Sequence, residues 1–167
     1  MSFISYIARN KKEKNMEIYD LKEKQEYLKE VMTLEHEKWG KEKEKDREAR
    51  IKRKIEKYFA SVNDPYFCKL ILLDDDMLVG FISIFPHDCE EEPNLTPWYA
   101  TMFVKKEYRK KGYSKILNEA ILKEAKNRNI QRLYLKTDLE QYYEKLGAQF
   151  IKELASHEKL YQFKINE

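Results

Sequence analysis

Residues 103–119 (FVKKEYRKKGYSKILNE) combine side-chain types and spacing that suit the binding of an anion. Within 105–115, six basic residues, Lys105, Lys106, Arg109, Lys110, Lys111 and Lys115, stand against one acid, Glu107. Gly112 follows the basic run, and a helical pattern starts at Tyr113. Amides at a helix N-terminus have no intrahelical acceptor, and the helix dipole favours negative charge there. A glycine lets the backbone come close to a phosphate. The spacing Arg109-x-x-Gly112-x-Ser114 therefore suits a diphosphate held by successive amides. It has neither the GKS or GKT ending of a P-loop nor the three glycines of a dinucleotide fingerprint. On spacing alone, an ordinary basic turn before an ordinary helix is equally open.

The surrounding elements must position this turn. Residues 16–21 read as a first strand, with Met16, Ile18 and Asp20 on one side. A helix is expected over 25–40, with Leu28, Val31, Met32 and Trp39 near one face and Gly40 as its stop. Glu35 falls on that apolar face, a local conflict. A second helix over 46–62 carries a stripe of Ile51, Ile55, Tyr58, Phe59 and Val62. Between them, 41–45 (KEKEK) reads as a solvated helix surface. Strands are expected at 66–73 and 78–86, joined as a hairpin by an acidic turn, and at 97–104. After the helix at 113–127 come a strand at 132–137, a short helix at 139–146 stopped by Gly147, and strands at 148–154 and 160–165. The order β-α-α-β-β-β-α-β-α-β-β, with hairpins at both ends and a β-α-β unit between them, is an α+β architecture with a mixed sheet.

The chain has 167 residues, enough for one domain with a real core and too few for two ordinary ones, so 1–167 is read as a single domain. Twelve Tyr and eight Phe argue against disorder despite 38% charged residues. The net charge of +3 excludes an extreme polycation but not a local basic patch. Residues 1–60 contain 17 Lys+Arg and 13 Asp+Glu, interleaved rather than segregated, which speaks against a nucleic-acid grip. Cys68 and Cys89 form no CxxC pair, and with three scattered His no metal site is expected. No stretch approaches the length of a membrane span, and residues 1–10 lack the pattern of a signal peptide, so a cytoplasmic protein without membrane contact is expected.

Val104-x-x-x-Tyr108-Arg109-x-x-Gly112-x-Ser114 resembles the acetyl-CoA-binding motif of the GNAT superfamily of acyl-CoA-dependent N-acetyltransferases, written Arg/Gln-x-x-Gly-x-Gly/Ala. The chain departs from it at Ser114, which is small and keeps its N–H. Downstream, 133–137 followed by Tyr142-Tyr143-Glu144-Lys145-Leu146-Gly147-Ala148 resembles the family's later strand and its aromatic-Tyr-x-x-x-Gly-aromatic segment, with Ala148 where an aromatic is usual. The element order over 16–165 also matches, so the resemblance spans nearly the whole chain.

The resemblance implies a three-layer fold with a splayed mixed sheet of about six to seven strands and about four helices. It implies acetyl-CoA as cosubstrate, with its pantetheine arm along Phe103 and Val104. Its pyrophosphate would lie on Arg109, Lys110, Lys111, Gly112, Tyr113 and Ser114, and Asp138 would stand beside the cofactor. An amine of a small molecule or peptide would attack the thioester directly, in a ternary complex. Tyr143 matches the family's general-acid tyrosine, and Tyr142 is read as packing. The donor to the thioester oxygen is expected to be a backbone N–H near Phe103 or Val104. The general base stays open among Glu35, His36, Glu37, His87, Asp88, Glu90 and a water chain, because 101–104 (TMFV) holds no carboxylate.

His36-Glu37-Lys38-Trp39-Gly40 and Leu95-Thr96-Pro97-Trp98 resemble segments of a bacterial subgroup of the same family, and His36, Trp39 and Trp98 are expected at the acceptor. The acids from Asp88 to Glu92 would form a rim that attracts a cationic amine, or a solvated loop. A CoA-binding regulator without catalysis and a basic nucleic-acid module are the alternative functions. A homodimer is expected from the family.

Overall fold

The computed structural model describes residues 16–40 and 46–165. The expectations for 1–10 and 41–45 lie outside the described residues.

Alternation sets the first strand: in β1 (Met16–Asp20) Met16, Ile18 and Asp20 are buried while Glu17 and Tyr19 are half-buried. β2 (Cys68–Asp74) and β3 (Met77–Phe85) are buried along nearly their whole length, as strands covered on both faces must be. Their hairpin turns at Asp75 and Asp76, both with positive φ, a conformation that Asp tolerates better than most residues. β4 (Trp98–Val104), β5 (Arg132–Thr137), β6 (Gln149–Glu153) and β7 (Lys159–Lys164) complete a seven-stranded sheet in the order β1-β2-β3-β4-β5-β7-β6.

Three α-helices cover the sheet: α1 (Leu28–Trp39), α2 (Arg47–Ser61) and α3 (Tyr113–Asn127). α1 and α2 pack on one face through Leu28, Val31, Met32, Ile51 and Tyr58 against Ile71, Leu73, Leu78 and Phe81. α3 packs on the other through Leu117, Ala120 and Ile121 against Leu70, Leu72, Val79 and Ile82. Each fully buried Leu or Ile contributes roughly 1.5–3 kcal/mol relative to leaving it exposed. The Asp46 side chain caps α2 by accepting from the Ala49 amide at 3.0 Å.

The fold differs from the sequence reading in three places. The helix expected from Gln25 begins at Leu28, after a 3₁₀ turn at Gln25–Tyr27, because no side chain caps that start. The helix expected over 139–146 is only a 3₁₀ turn, Glu144–Leu146; Gln141 at φ 59° prevents a continuous helix, so the described residues hold three α-helices rather than about four. Phe59, assigned to the buried stripe of α2, is 47% exposed.

Two features of β4 open the site. It is antiparallel to β3 but carries an extra residue: Ser83 pairs with Ala100 and Phe81 with Phe103, so two residues of β4 face one of β3. Thr101, in this bulge, sits at φ 50°. On its other side β4 pairs with β5 only at Trp98 and Tyr134, and the two strands then diverge. Gly80 lets β3 approach β4 beside the bulge; a Cβ there would lie 2.3 Å from the Phe103 carbonyl oxygen.

Candidate active site

The divergence of β4 from β5 leaves a cleft of about 600 Å³. Thr101 and Met102 of β4, Leu135 to Thr137 of β5, Asp138 and Tyr143 line it, together with Glu35 and Trp39 of α1 and Asp88 of the loop after β3. Phe103 stacks on Phe81 at 5.2 Å and meets Trp39 edge-on at 6.4 Å, while Val104 packs on the α3 side.

At the C-terminal end of β4 the chain makes the basic turn. Arg109 Nε donates to the Val104 carbonyl at 2.9 Å and its guanidinium lies 5.8 Å from the Phe103 ring, which holds the turn against the strand. Lys110 and Gly112 both take left-handed backbone, φ 62° and 83°. Gly112 is the N-cap of α3 and offers no side-chain cap, and the first turn of the helix contains no acid. A Cβ on Gly112 would meet nothing within 4 Å, so the space over it is open. Lys110 and Lys111 are exposed, Tyr113 is buried beside Tyr108, and Ser114 is half-buried. Orphan amides, open space and positive charge together fit a diphosphate.

Tyr143 is 7% exposed and lines the cleft. Tyr142 packs on it at 4.9 Å and Tyr99 at 5.7 Å, both edge-on. Burial, and then the neighbouring Tyr142, pushes the Tyr143 hydroxyl above its ordinary value, so it stays protonated and able to donate. Asp138 follows β5 at the cleft and is exposed.

The residues expected at the acceptor divide. Trp39 lines the cleft, 46% exposed. His36 faces an adjoining groove of about 380 Å³ with Trp39, Arg50, Arg53, Lys54 and Lys57. Trp98 does not reach either: it is fully buried with Leu154 and Leu160, and its Nε1 donates to the Leu95 carbonyl at 2.7 Å. Its position at the start of β4, where β5 still pairs with it, puts it ahead of the opening.

Among the candidate bases, Asp88 and Glu35 line the cleft, whereas His87 and Glu90 are exposed and border neighbouring pockets. Burial pushes the Asp88 carboxyl up to about 6; Lys136 opposes this, and Glu158 and Glu35 add to it. Glu35 is different. Burial raises it, but the charges and hydrogen bonds of Lys69 and Lys54 prevail and hold it below the ordinary value.

Lys69, Ser83 and Thr101 escaped the sequence reading. Lys69 Nζ donates to Glu35 Oε2 and to Ser83 Oγ, both at 2.7 Å, and lies 3.5 Å from Thr101 Oγ1. The signal was present: a lysine inside the apolar run YFCKLILL is the complement of the misplaced glutamate on α1.

No helix among the described residues is long and apolar enough to cross a membrane, and no group of His, Cys, Asp and Glu among them could hold a metal.

The comparisons agree with this geometry. N-alpha-acetyltransferase 30 of Schizosaccharomyces pombe is 29% identical over 101 residues, 58% of this chain, and the matched part spans 63% of that relative's length. An aminoglycoside 6'-N-acetyltransferase solved with coenzyme A superposes with a TM-score of 0.68 at 20% identity, over 90% of this chain and 97% of its own. The PaiA N-acetyltransferase of Thermoplasma acidophilum, also with coenzyme A, gives 0.61 at 22% identity, over 89% and 98%. These structures share the fold, and the model of the Acetyltransferase (GNAT) family matches residues 25–148, so the chain belongs to the GNAT acetyltransferase family.

Proposed function

We propose that this protein is an acetyl-CoA-dependent N-acetyltransferase that acts on a cationic primary amine of a small molecule or peptide, through a ternary complex. One observation carries the reading: the uncapped N-terminus of α3, with Gly112 left-handed, stands at the end of the strand whose divergence from β5 opens a cleft onto Tyr143.

Acetyl-CoA supplies an acyl group activated as a thioester. Arg109, Lys110, Lys111 and the amides of Gly112, Tyr113 and Ser114 hold its diphosphate, Phe103 and Val104 flank its arm, and Asp138 stands beside it. Tyr143, buried and protonated, donates a proton at its hydroxyl to the departing sulfur. Asp88 takes the proton of the acceptor ammonium, since a carboxyl near 6 is a stronger base than an ordinary one and is still ionised at neutral pH. Trp39 forms a wall for the acceptor.

Charge supports the class of acceptor. The cleft continues into a groove bordered by Asp88, Glu90, Glu91 and Glu158 against Lys136, and this acidic path concentrates cations. Spermidine and a peptide with a free N-terminus are the probes that separate a small from a peptide acceptor. Release of CoA thiol with either supports transfer; absence of acetyl-CoA and CoA binding at millimolar concentration in calorimetry refutes the reading.

The finer expectations of a cytoplasmic protein and a homodimer belong to the same proposal. Pairing is supported by the edge strand β6, where Phe150 and Ile151 are exposed, and sedimentation velocity tests it.

A further inference from the structure

Lys69 is the single lysine among the described residues whose side chain is fully buried. An ammonium has three donors and no acceptor. Its carboxylate partner is Glu35, which Lys54 at 3.4 Å also helps to keep ionised. Phe81 and Phe85 enclose the ammonium at 5.5 and 5.0 Å. Burial lowers Lys69 and the Glu35 carboxylate opposes this, so the pair keeps its charges only together.

The remaining contacts run toward the cleft. Lys69 donates to Ser83 Oγ, and Ser83 Oγ lies 2.6 Å from Thr101 Oγ1. Counting protons gives this chain a direction. Ser83 is fully buried and has one hydroxyl proton. If Thr101 donated to Ser83, that proton would be left without an acceptor among the described groups, and a buried donor without a partner is costly. Ser83 therefore donates to Thr101. Thr101, which also has Lys69 at 3.5 Å, is the acceptor of the network, and its own proton points elsewhere. The space beside Thr101 is the cleft. A buried positive charge at the head of two hydroxyls in series polarises both and strengthens the final donor. The bulge of β4 places Thr101 there at φ 50°, a strained conformation for a β-branched residue, of the kind that concentrates at functional sites.

We propose that Thr101 is a catalytic hydrogen-bond donor to the acyl oxygen in the cleft, and that Ser83, Lys69 and Glu35 are positioning residues that orient and polarise its hydroxyl. The inference rests on the acetyl-CoA reading above. The acceptor amine is not the target of this donor: an ammonium has no lone pair, and a neutral amine bonded to Thr101 would lose the lone pair it needs to attack. A carbonyl oxygen is the group that gains negative charge during transfer and needs a fixed donor.

The test is the infrared band of the ¹³C-labelled thioester carbonyl of acetyl-CoA bound to the wild type and to Thr101→Val, Thr101→Ser and Ser83→Ala. A hydrogen bond to the carbonyl lowers its stretching frequency. The wild type and Thr101→Ser give the lowered band. Thr101→Val, equal in shape but without a donor, gives a band close to that of free acetyl-CoA, and Ser83→Ala lies between. With spermidine, Thr101→Val lowers kcat about 10²-fold, the lower end for the loss of one such donor, and Thr101→Ser restores most of it. A Thr101→Val band that stays as low as that of the wild type, with acetyl-CoA bound, overturns the proposal. Absence of any bound band in the wild type defeats the cosubstrate reading first, and this proposal with it.

Discussion

Tyr142 donates a 2.8 Å hydrogen bond to Ser114, joining the turn that carries Tyr143 to the first turn of α3. Two motifs 28 residues apart are thus one unit: the turn before α3, proposed to hold the diphosphate, and Tyr143, the proposed acid, share a fixed frame. Tyr142→Phe removes one neutral hydrogen bond, worth about 1 kcal/mol, and leaves the ring packing on Tyr143. A several-fold loss in acetyl-CoA affinity with little change in melting temperature is expected from calorimetry and a thermal scan; unaltered affinity would separate the two motifs.

Tyr143→Phe tests the proposed acid itself. The ring and its contacts with Tyr99 and Tyr142 persist, so the cofactor should bind almost as before. Turnover measured as CoA release should fall by roughly 10²–10⁴-fold, the usual range for loss of a general acid. Unchanged turnover would remove Tyr143 from the reaction.

Gly112→Val examines the cradle. At φ 83° a side chain carries a left-handed penalty of roughly 1–2 kcal/mol, and a β-branched one the most. The new atoms enter the open space over the glycine, where the diphosphate would lie. The expected result is a small drop in melting temperature and a large loss of CoA affinity. A variant with an intact CoA constant would show that the diphosphate sits elsewhere.

The turn proposed to hold the diphosphate was legible because it is local. Arg109, Gly112 and Ser114 lie within six consecutive residues, and the conformation they need is set by that segment alone. The place of Tyr143 beside the cleft was legible through a second contiguous motif. The buried network was not, because Glu35, Lys69, Ser83 and Thr101 come from α1, β2, β3 and β4, and only the register of the sheet brings them together. The two tryptophans show the same limit. Trp39 and Trp98 look alike as aromatic walls, but Trp98 precedes the point where β4 leaves β5, and no spacing rule marks that point. Residues 139–146 read as helical by content, and a single left-handed residue, Gln141, decides otherwise.

Glu35 and Lys69 form a pair whose partners cannot be removed singly without cost. Glu35→Leu leaves an uncompensated ammonium in the core, and breaking a buried pair in this way costs about 3–5 kcal/mol. The double variant Glu35→Leu/Lys69→Met removes both charges and should recover most of that stability in urea unfolding. It should not recover turnover, because Ser83 then has no ammonium to polarise it. Restored turnover in the double variant would reduce the pair to a structural role.

In the role of base proposed for it, Asp88 moves stability and activity in opposite directions with pH. Its carboxyl rises from 3.8 in the unfolded chain to about 6 in the fold, chiefly through burial. The folded state therefore binds the proton more tightly, and stability falls as pH rises from about 4 to about 6. Above that window the ionised carboxylate costs roughly 2–3 kcal/mol. Asp88→Asn lacks this cost, so its advantage over the wild type in urea unfolding should be larger at pH 8 than at pH 4. The proposed activity requires the opposite state. As a base Asp88 must be ionised, and kcat/KM of the wild type should fall as pH drops through about 6. In Asp88→Asn that acidic limb should vanish together with most of the rate. A variant that keeps both the limb and the rate would transfer the role of base away from Asp88, while a gain in stability at pH 8 would still report its burial.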